Sequence, residues 1–207
     1  MSKRSAGILF VVSAPSGTGK TTAGQRLIAA LDGLDFSVSY TTRPPREGER
    51  VGRDYHFVDQ QAFQRMIDEG AFLEWAQVFD HMYGTGIEET QRVLDTGTDL
   101  LLDIDVQGAR QVREGPIPAV SMMILPPNYA TLEARLVERN SESEPVRSGR
   151  LARARLEAED YTEFDYVVVN DDIDKTVAEL VSIVDAERRR PARCSEEIQK
   201  IIETFPA

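Results

Sequence analysis

The chain has 207 residues, of which 41% are hydrophobic and 29% charged, and its formal net charge is −11 at pH 7. This length suits one well-packed α/β domain, while the acidic balance argues against a nucleic-acid-binding protein and the short apolar runs argue against a membrane protein. The N-terminus has no secretory-signal pattern and Cys194 is the only cysteine, so we expect a cytoplasmic protein without an internal disulfide.

The first predicted elements are a buried strand over 7–14 and an amphipathic helix over 21–31, with "SAPSGTGKTT" (13–22) between them. Strand, glycine-rich loop and helix are the context in which G-x-x-x-x-G-K-[ST] holds phosphates through backbone N–H groups, a lysine and a hydroxyl. Alanine stands at the first motif position, and a chance glycine-rich turn is the alternative that the flanking elements disfavour. We therefore predict a polyphosphate site made of Ala14, Pro15, Ser16, Gly17, Thr18, Gly19, Lys20, Thr21 and Thr22.

Residues 35–97 interrupt this pattern and predict an inserted lobe. Its first part predicts short antiparallel strands around an arginine-bearing loop, "TTRPPREGERVGR" (41–53). Helices are predicted over 59–70 and 87–97, with an aromatic, strand-like segment over 72–86. The four arginines of the loop, against two glutamates, suit the capture of a small anion. Solvated loop charges are the alternative.

The remainder of the chain returns to buried strands that alternate with helices. The predicted elements are strands over 99–108, 119–127 and 165–170, helices over 128–140, 151–161 and 172–190, and a mobile polar loop over 141–150. This alternation predicts a parallel sheet with helices on both faces. Because Asp103 and Asp105 end one strand and the glycine loop ends another, we expect them to meet in one cleft.

The middle of the chain indicates what receives the phosphate. Its segments "SVSYTTRPPREGERVGRDYHFV", "FLEWAQVFDHMYGT" and "LLLDIDVQG" resemble guanylate kinases, as do "SAPSGTGKTT", "LEARLVERN" and "YVVVNDD", in order and spacing over about residues 8–185. The resemblance implies Mg²⁺-dependent phosphoryl transfer from ATP to GMP, giving ADP and GDP in purine nucleotide metabolism. It leaves dGMP acceptance and oligomeric state open.

The same resemblance implies a domain organisation. It predicts a single domain over 1–190, with a P-loop kinase core at 7–34 and 98–190, an antiparallel GMP-binding lobe at about 35–97, a mobile lid at about 139–151, and an extension of unknown role at 191–207.

Site residues follow from the resemblance as well. The phosphate of GMP is expected among Arg43, Arg46, Tyr55 and Tyr83, and guanine among Ser39, Glu74, Thr85 and Asp105. The expected catalytic cations are Lys20, Arg46, Arg135, Arg139 and Arg150, with Asn170 near the adenine of ATP and Thr21 and Asp103 on the Mg²⁺ side.

The chemistry of guanine agrees with this set. One carboxylate accepts the neighbouring N1–H and N2 donors, while the Ser39 and Thr85 hydroxyls bind O6. Adenine would leave such buried groups unpaired.

Two other functions stay open at this point. One is a non-catalytic scaffold module of guanylate-kinase ancestry that binds phosphorylated peptides, against which the intact Lys20 and Thr21 speak. The other is a P-loop kinase for a different small phosphate acceptor, against which Glu74 and Asp105 speak. The aromatic residues of the lobe have the alternative interpretation as core side chains, and for Trp75 that is the interpretation we prefer.

Overall fold

The computed structural model of the chain describes residues 6–139 and 144–206, without the side chains of residues 138–139, 144–147 and 195–197. In chain order its strands are β1 (Leu9–Ser13), β2 (Leu34–Phe36), β3 (Tyr40–Thr41), β4 (His56–Phe57), β5 (Phe72–Val78), β6 (His81–Gly86), β7 (Asp99–Asp103), β8 (Ala119–Leu125) and β9 (Tyr166–Val169). Its helices are α1 (Lys20–Ala30), α2 (Gln60–Asp68), α3 (Ile87–Leu94), α4 (Val106–Glu114), α5 (Tyr129–Arg139), α6 (Glu144–Glu159), α7 (Ile173–Arg188) and α8 (Pro191–Ile202).

Five strands form a parallel core sheet in the order β2–β7–β1–β8–β9. All five residues of β1 are buried, the pattern of a strand covered on both faces. One face packs against α1 and α7, through residues such as Leu27 and Leu180, and the other against α3 and α4, through Leu94 and Val112. The predicted α/β fold, with helices on both faces of a parallel sheet, is confirmed.

A second sheet, in the order β4–β3–β6–β5, forms the lobe beside the core. Strand β6 pairs antiparallel with both β3 and β5, as predicted for the lobe. The prediction of antiparallel strands was wrong at two places, because β3 and β4 pair in parallel and β2 belongs to the core sheet. Residues 42–55 separate β3 from β4, and a connection of that length permits the parallel arrangement. The limits of the lobe at about 35–97 stay a prediction.

Helix α4 differs from the prediction, because the sequence pattern predicts a strand up to residue 108. Asp105 is the N-cap of α4, and its Oδ1 accepts the N–H of Gly108 at 2.9 Å. The helix buries Val106, Ala109 and Val112, whose spacing is helical. Asp103 is therefore the last residue of β7, whereas Asp105 caps α4.

Two further differences concern the last third of the chain. Residues 144–150, predicted as a loop, form the beginning of α6, with Pro145 in the first turn, where a missing N–H is tolerated. Strand β9 lies at the edge of the sheet, so Val167 and Val169 are 42% and 50% exposed instead of buried.

Candidate active site

The glycine loop and the beginning of α1 line a cavity of about 450 Å³ beyond the carboxyl end of β1. Its lining residues are Ala14, Pro15, Ser16, Gly17, Thr18, Gly19, Lys20, Thr21, Asp105, Arg150, Arg153 and Glu157. The predicted phosphate-loop residues thus share one cavity, apart from Thr22, which is exposed on α1.

Two glycines give the loop its shape. Gly17 and Gly19 have φ angles of 93° and 97°, in the left-handed region that favours glycine. A Cβ on Gly17 would lie 2.7 Å from Cδ2 of Leu136, and one on Gly19 would lie 2.9 Å from Nδ2 of Asn170. Ala14 has no such φ angle and its side chain is buried in the core, so alanine at the first motif position is compatible with the loop.

The outer side of the loop is held by hydrogen bonds to the carbonyl of Thr18. This oxygen accepts from Nδ2 of Asn170 at 2.7 Å and from Nη1 of Arg135 at 3.4 Å, and Arg135 also donates to the Asn170 carbonyl at 3.0 Å. Oδ1 of Asn170 accepts from Thr176 at 3.1 Å. In this structure Arg135 and Asn170 therefore support the loop from outside and are absent from the described cavity lining.

The end of β7 meets the glycine loop through Lys20. Nζ of Lys20 lies 2.7 Å from Oδ1 of Asp103 and donates to the carbonyl of Ile104 at 2.5 Å. The expected meeting of the glycine loop with the acids after β7 is confirmed.

The oxygens beside Lys20 also fit Mg²⁺. Thr21 and Asp103 offer a hydroxyl and a carboxylate, the hard ligands that Mg²⁺ prefers when phosphates and water complete its coordination. In the described part of the chain, no group of three or more His, Cys, Asp or Glu residues could hold a metal by itself. The donor set therefore fits an ion shared with a bound nucleotide.

Helix α6 brings charged side chains to the cavity. Nη2 of Arg150 donates to Oγ of Ser16 at 3.0 Å. Arg153 pairs with Glu157 at 2.6 Å and with Oδ2 of Asp105 at 3.5 Å. Arg153 was not predicted, although its spacing of three residues from Arg150 places both on one side of a helix. The signal was lost because the start of α6 was assigned to a loop.

Beside this cavity, the β5–β6 hairpin buries a carboxylate. Glu74 lies directly opposite Thr85 in the hairpin and is 7% exposed, and its Oε1 accepts a hydrogen bond from the Thr85 hydroxyl at 2.6 Å. Burial raises the pKa of Glu74, Asp105 raises it further, and the Thr85 bond and the charge of Lys20 oppose the rise. Glu74 neighbours the phosphate cavity, because a Cβ on Gly108 would lie 3.2 Å from its Oε2 and Gly108 is bonded to Asp105 of the cavity lining.

The arginine-bearing loop provides a cation beside two tyrosines. Arg43 is 9% exposed, with its guanidinium carbon 5.3 Å from the ring centre of Tyr55 and 5.9 Å from that of Phe57. Both carboxylate oxygens of Glu49 accept from Arg43, at 2.8 and 3.0 Å, and this bond is the main cause that raises the pKa of Arg43. Tyr83 packs edge-to-face with Tyr55 at 6.0 Å.

Comparison with known proteins decides the family. Residues 7–187 match the family model described as guanylate kinase. The chain is 47% identical over 184 residues to a guanylate kinase of Legionella pneumophila (strain Paris), covering 89% of this chain and 88% of the relative. It is 49% identical over 193 residues to a guanylate kinase of Neisseria gonorrhoeae, covering 93% and 94%. The chain belongs to the guanylate kinase family.

A solved structure agrees with this assignment. The crystal structure of guanylate kinase from Anaplasma phagocytophilum matches with a TM-score of 0.66 at 34% identity, covering 91% of this chain and 90% of that chain. The predicted resemblance to guanylate kinases is thereby confirmed in both sequence and fold.

Three predicted site residues of this guanylate kinase family member remain, namely Arg46, Ser39 and Arg139. Arg46 is exposed, and its backbone N–H donates to Glu49 at 2.7 Å. Ser39 is half-buried just before β3. The side chain of Arg139 lies outside the described residues, as does part of the predicted lid. The structure thus brings Arg43 and Tyr83 beside Tyr55, and Thr85 beside Glu74, whereas Arg46 lies on the surface.

The structure corrects the preferred interpretation of Trp75. Trp75 is 38% exposed, so the preferred interpretation as a core aromatic was wrong. It alternates with Glu74 along an edge strand, and the inward position belongs to Glu74.

In the described residues no helix is long and apolar enough to cross a membrane.

Proposed function

We propose that this protein catalyses Mg²⁺-dependent phosphoryl transfer from ATP to GMP, giving ADP and GDP in cytoplasmic purine nucleotide metabolism. The observation that carries the proposal is the adjacency of two sites: Asp105 lines the phosphate cavity and bonds to Gly108, and a Cβ on Gly108 would lie 3.2 Å from Oε2 of the buried Glu74 of the lobe. Membership of the guanylate kinase family supports the same conclusion.

On the donor side, the ATP phosphates bind the inward-facing amides of the glycine loop, Lys20 and the positive end of α1. Arg150, already bonded to Ser16, adds a cation from α6. Arg135 and Asn170 act by holding the loop carbonyl of Thr18. The lid is proposed to bring Arg139 to the same phosphates.

Thr21 and Asp103 would hold Mg²⁺ on this side, where the ion neutralises charge on the transferring phosphoryl group. The remaining work of the protein is alignment and charge stabilisation, because phosphoryl transfer needs no covalent nucleophile here.

On the acceptor side, the Glu74 carboxylate accepts the N1–H and N2 donors of guanine, with Asp105 nearby. The Thr85 hydroxyl already donates its hydrogen bond to Glu74. We therefore assign the Ser39 hydroxyl to guanine O6. The phosphate of GMP binds Arg43, Arg46, Tyr55 and Tyr83. Glu49 holds the Arg43 guanidinium by two bonds, so this fork is ordered before the phosphate arrives.

A coupled assay of ADP formation with GMP, dGMP, AMP, UMP and a sugar phosphate tests the proposal. We expect turnover with GMP to exceed that with AMP by roughly 10⁴-fold, because adenine leaves buried groups unpaired. Equal rates with AMP would contradict the acceptor assignment. A lack of turnover with every acceptor would favour the scaffold module.

The donor side is tested separately with Lys20→Ala, for which exposed Lys175→Ala is the control. We expect Lys20→Ala to lose most turnover while GMP binding, measured by calorimetry, persists. Equal loss of both in a folded variant would contradict the role given to Lys20.

A further inference from the structure

Helix α4 runs along strand β5, which carries Glu74, and presents residues to it at intervals of three. Asp105 caps the helix, with its Oδ1 bonded to the N–H of Gly108. A Cβ on Gly108 would lie 3.2 Å from Oε2 of Glu74, so the helix passes directly behind that carboxylate. Gln111 comes next along the same side.

Gln111 binds both backbone groups of Trp75. Its Oε1 accepts the Trp75 N–H at 3.0 Å, and its Nε2 donates to the Trp75 carbonyl at 3.1 Å. Strand β5 is the outermost strand of its sheet, so the side-chain amide occupies the edge as a neighbouring strand would. Because the Trp75 side chain is 38% exposed, backbone bonding rather than core packing holds this residue.

Three consecutive residues of β5 are therefore held by one helix. Leu73 is 3% exposed and belongs to the same buried cluster as Val112 of α4. Glu74 lies against Gly108, and Trp75 is bonded to Gln111. A shift of β5 along α4 would move the Glu74 carboxylate relative to the cap of the helix.

We propose that Gln111 is a positioning residue for the nucleotide acceptor. Its two bonds fix β5 against α4 and so fix the Glu74 carboxylate relative to that of Asp105. The inference rests on the proposed function, which assigns both carboxylates to guanine. Gln111 acts through Glu74 and does not touch the nucleotide.

The test compares Gln111→Leu, which keeps most of the side-chain volume but loses both bonds, with Gln107→Leu. Gln107 is exposed one turn earlier on α4 and serves as the matched control. Each variant is assayed for the KM of GMP, the KM of ATP, the ratio of GMP to AMP turnover, and Tm. We expect Gln111→Leu to raise the KM of GMP by roughly five- to 150-fold, the range for two lost hydrogen bonds, and to lower the GMP preference. The KM of ATP should change by less than about twofold, and the control should match the wild type in every readout.

A second variant keeps the test decisive if Gln111→Leu does not fold. Gln111→Glu retains an acceptor for the Trp75 N–H and loses the donor, so we expect about a threefold rise in the KM of GMP. An unchanged KM and preference in the folded Gln111 variants, with only Tm lowered, would overturn the inference and leave the proposed function intact. No GMP-dependent turnover in the wild type would overturn both.

Discussion

Replacing the buried carboxylate of Glu74 with an amide is the most direct test of acceptor recognition. Glu74→Gln preserves shape, and the amide oxygen still accepts the Thr85 hydroxyl that now lies 2.6 Å from Oε1. The substitution removes the negative charge that is proposed to accept two guanine donors. It also removes a burial penalty, since burial raises the pKa of Glu74.

The size of the effect follows from these contacts. Hydrogen bonds to a charged group contribute about 1.5–3 kcal/mol each, whereas a neutral bond contributes about 1 kcal/mol. One neutral acceptor in place of two charged bonds loses roughly 3 kcal/mol, which corresponds to about a hundredfold in kcat/KM for GMP. We expect no loss of Tm, because the buried charge opposes folding.

The pH dependence supplies a second readout. A raised pKa means that the fold favours protonated Glu74, so its contribution to stability is present below the ordinary pKa of a glutamate and is lost as pH rises through the raised pKa. GMP binding has the opposite sign, because it requires the ionised carboxylate. The KM of GMP should therefore rise as pH falls through this range in the wild type.

The assay measures kcat/KM for GMP at saturating ATP, the KM of ATP, and Tm, from pH 5 to 8. Ionisation of the GMP phosphate at about pH 6 affects the wild type and Glu74→Gln equally, so the variant also controls for that ionisation. The reasoning is refuted if the variant keeps kcat/KM for GMP within about threefold of the wild type. An unaltered acid limb would refute the pH assignment.

Three further predictions concern other polar contacts. Thr85→Val removes a bond that lowers the pKa of Glu74, so the acid limb of the GMP profile should move to higher pH; a limb that stays in place would contradict this. Arg153→Ala removes an exposed cation from the phosphate cavity and should raise the KM of ATP by about threefold at low salt and less at high salt. The more exposed Arg155, which does not line this cavity, is the control, and equal effects of Arg155→Ala would count against Arg153. Arg188→Ala removes the guanidinium that lies 2.8 Å from the buried Asp99 carboxylate, so we expect about 3 kcal/mol of destabilisation in chemical unfolding, with Arg189→Ala as the exposed control and kcat unchanged. A decrease of less than about 1 kcal/mol in the free energy of unfolding would show that this ion pair contributes little to the packing of α7 on the sheet.

Local patterns were sufficient to predict the phosphate loop and the core sheet. The apolar run of β1, the glycines and the start of α1 are contiguous in sequence, so one short segment contains the whole signal. The buried strands alternate with helices, which predicts the parallel sheet with little dependence on distant contacts. The resemblance to guanylate kinases likewise rested on contiguous segments that keep their order.

Local patterns failed where the residue types suit two kinds of secondary structure. Asp105 reads as the end of an acidic strand, yet it caps α4. The segment before Arg150 reads as a polar loop, yet it begins α6 and thereby brings Arg153 to the cavity. In both places the residue types suit either structure, and packing of the new helix against its neighbours decides between them.

The sequence by itself predicted the phosphate-loop side chains through the chemistry of glycine, lysine and hydroxyl groups at that spacing, and the candidate guanine side chains through the resemblance to guanylate kinases. Only the tertiary structure decided which of them meet. Lys20 and Asp103 are joined by adjacent strand ends, and Gln111 reaches Trp75 across a separation of 36 residues. Such pairings arise when apolar burial brings distant segments together. The pattern of neighbouring residues does not indicate which polar atoms then face each other.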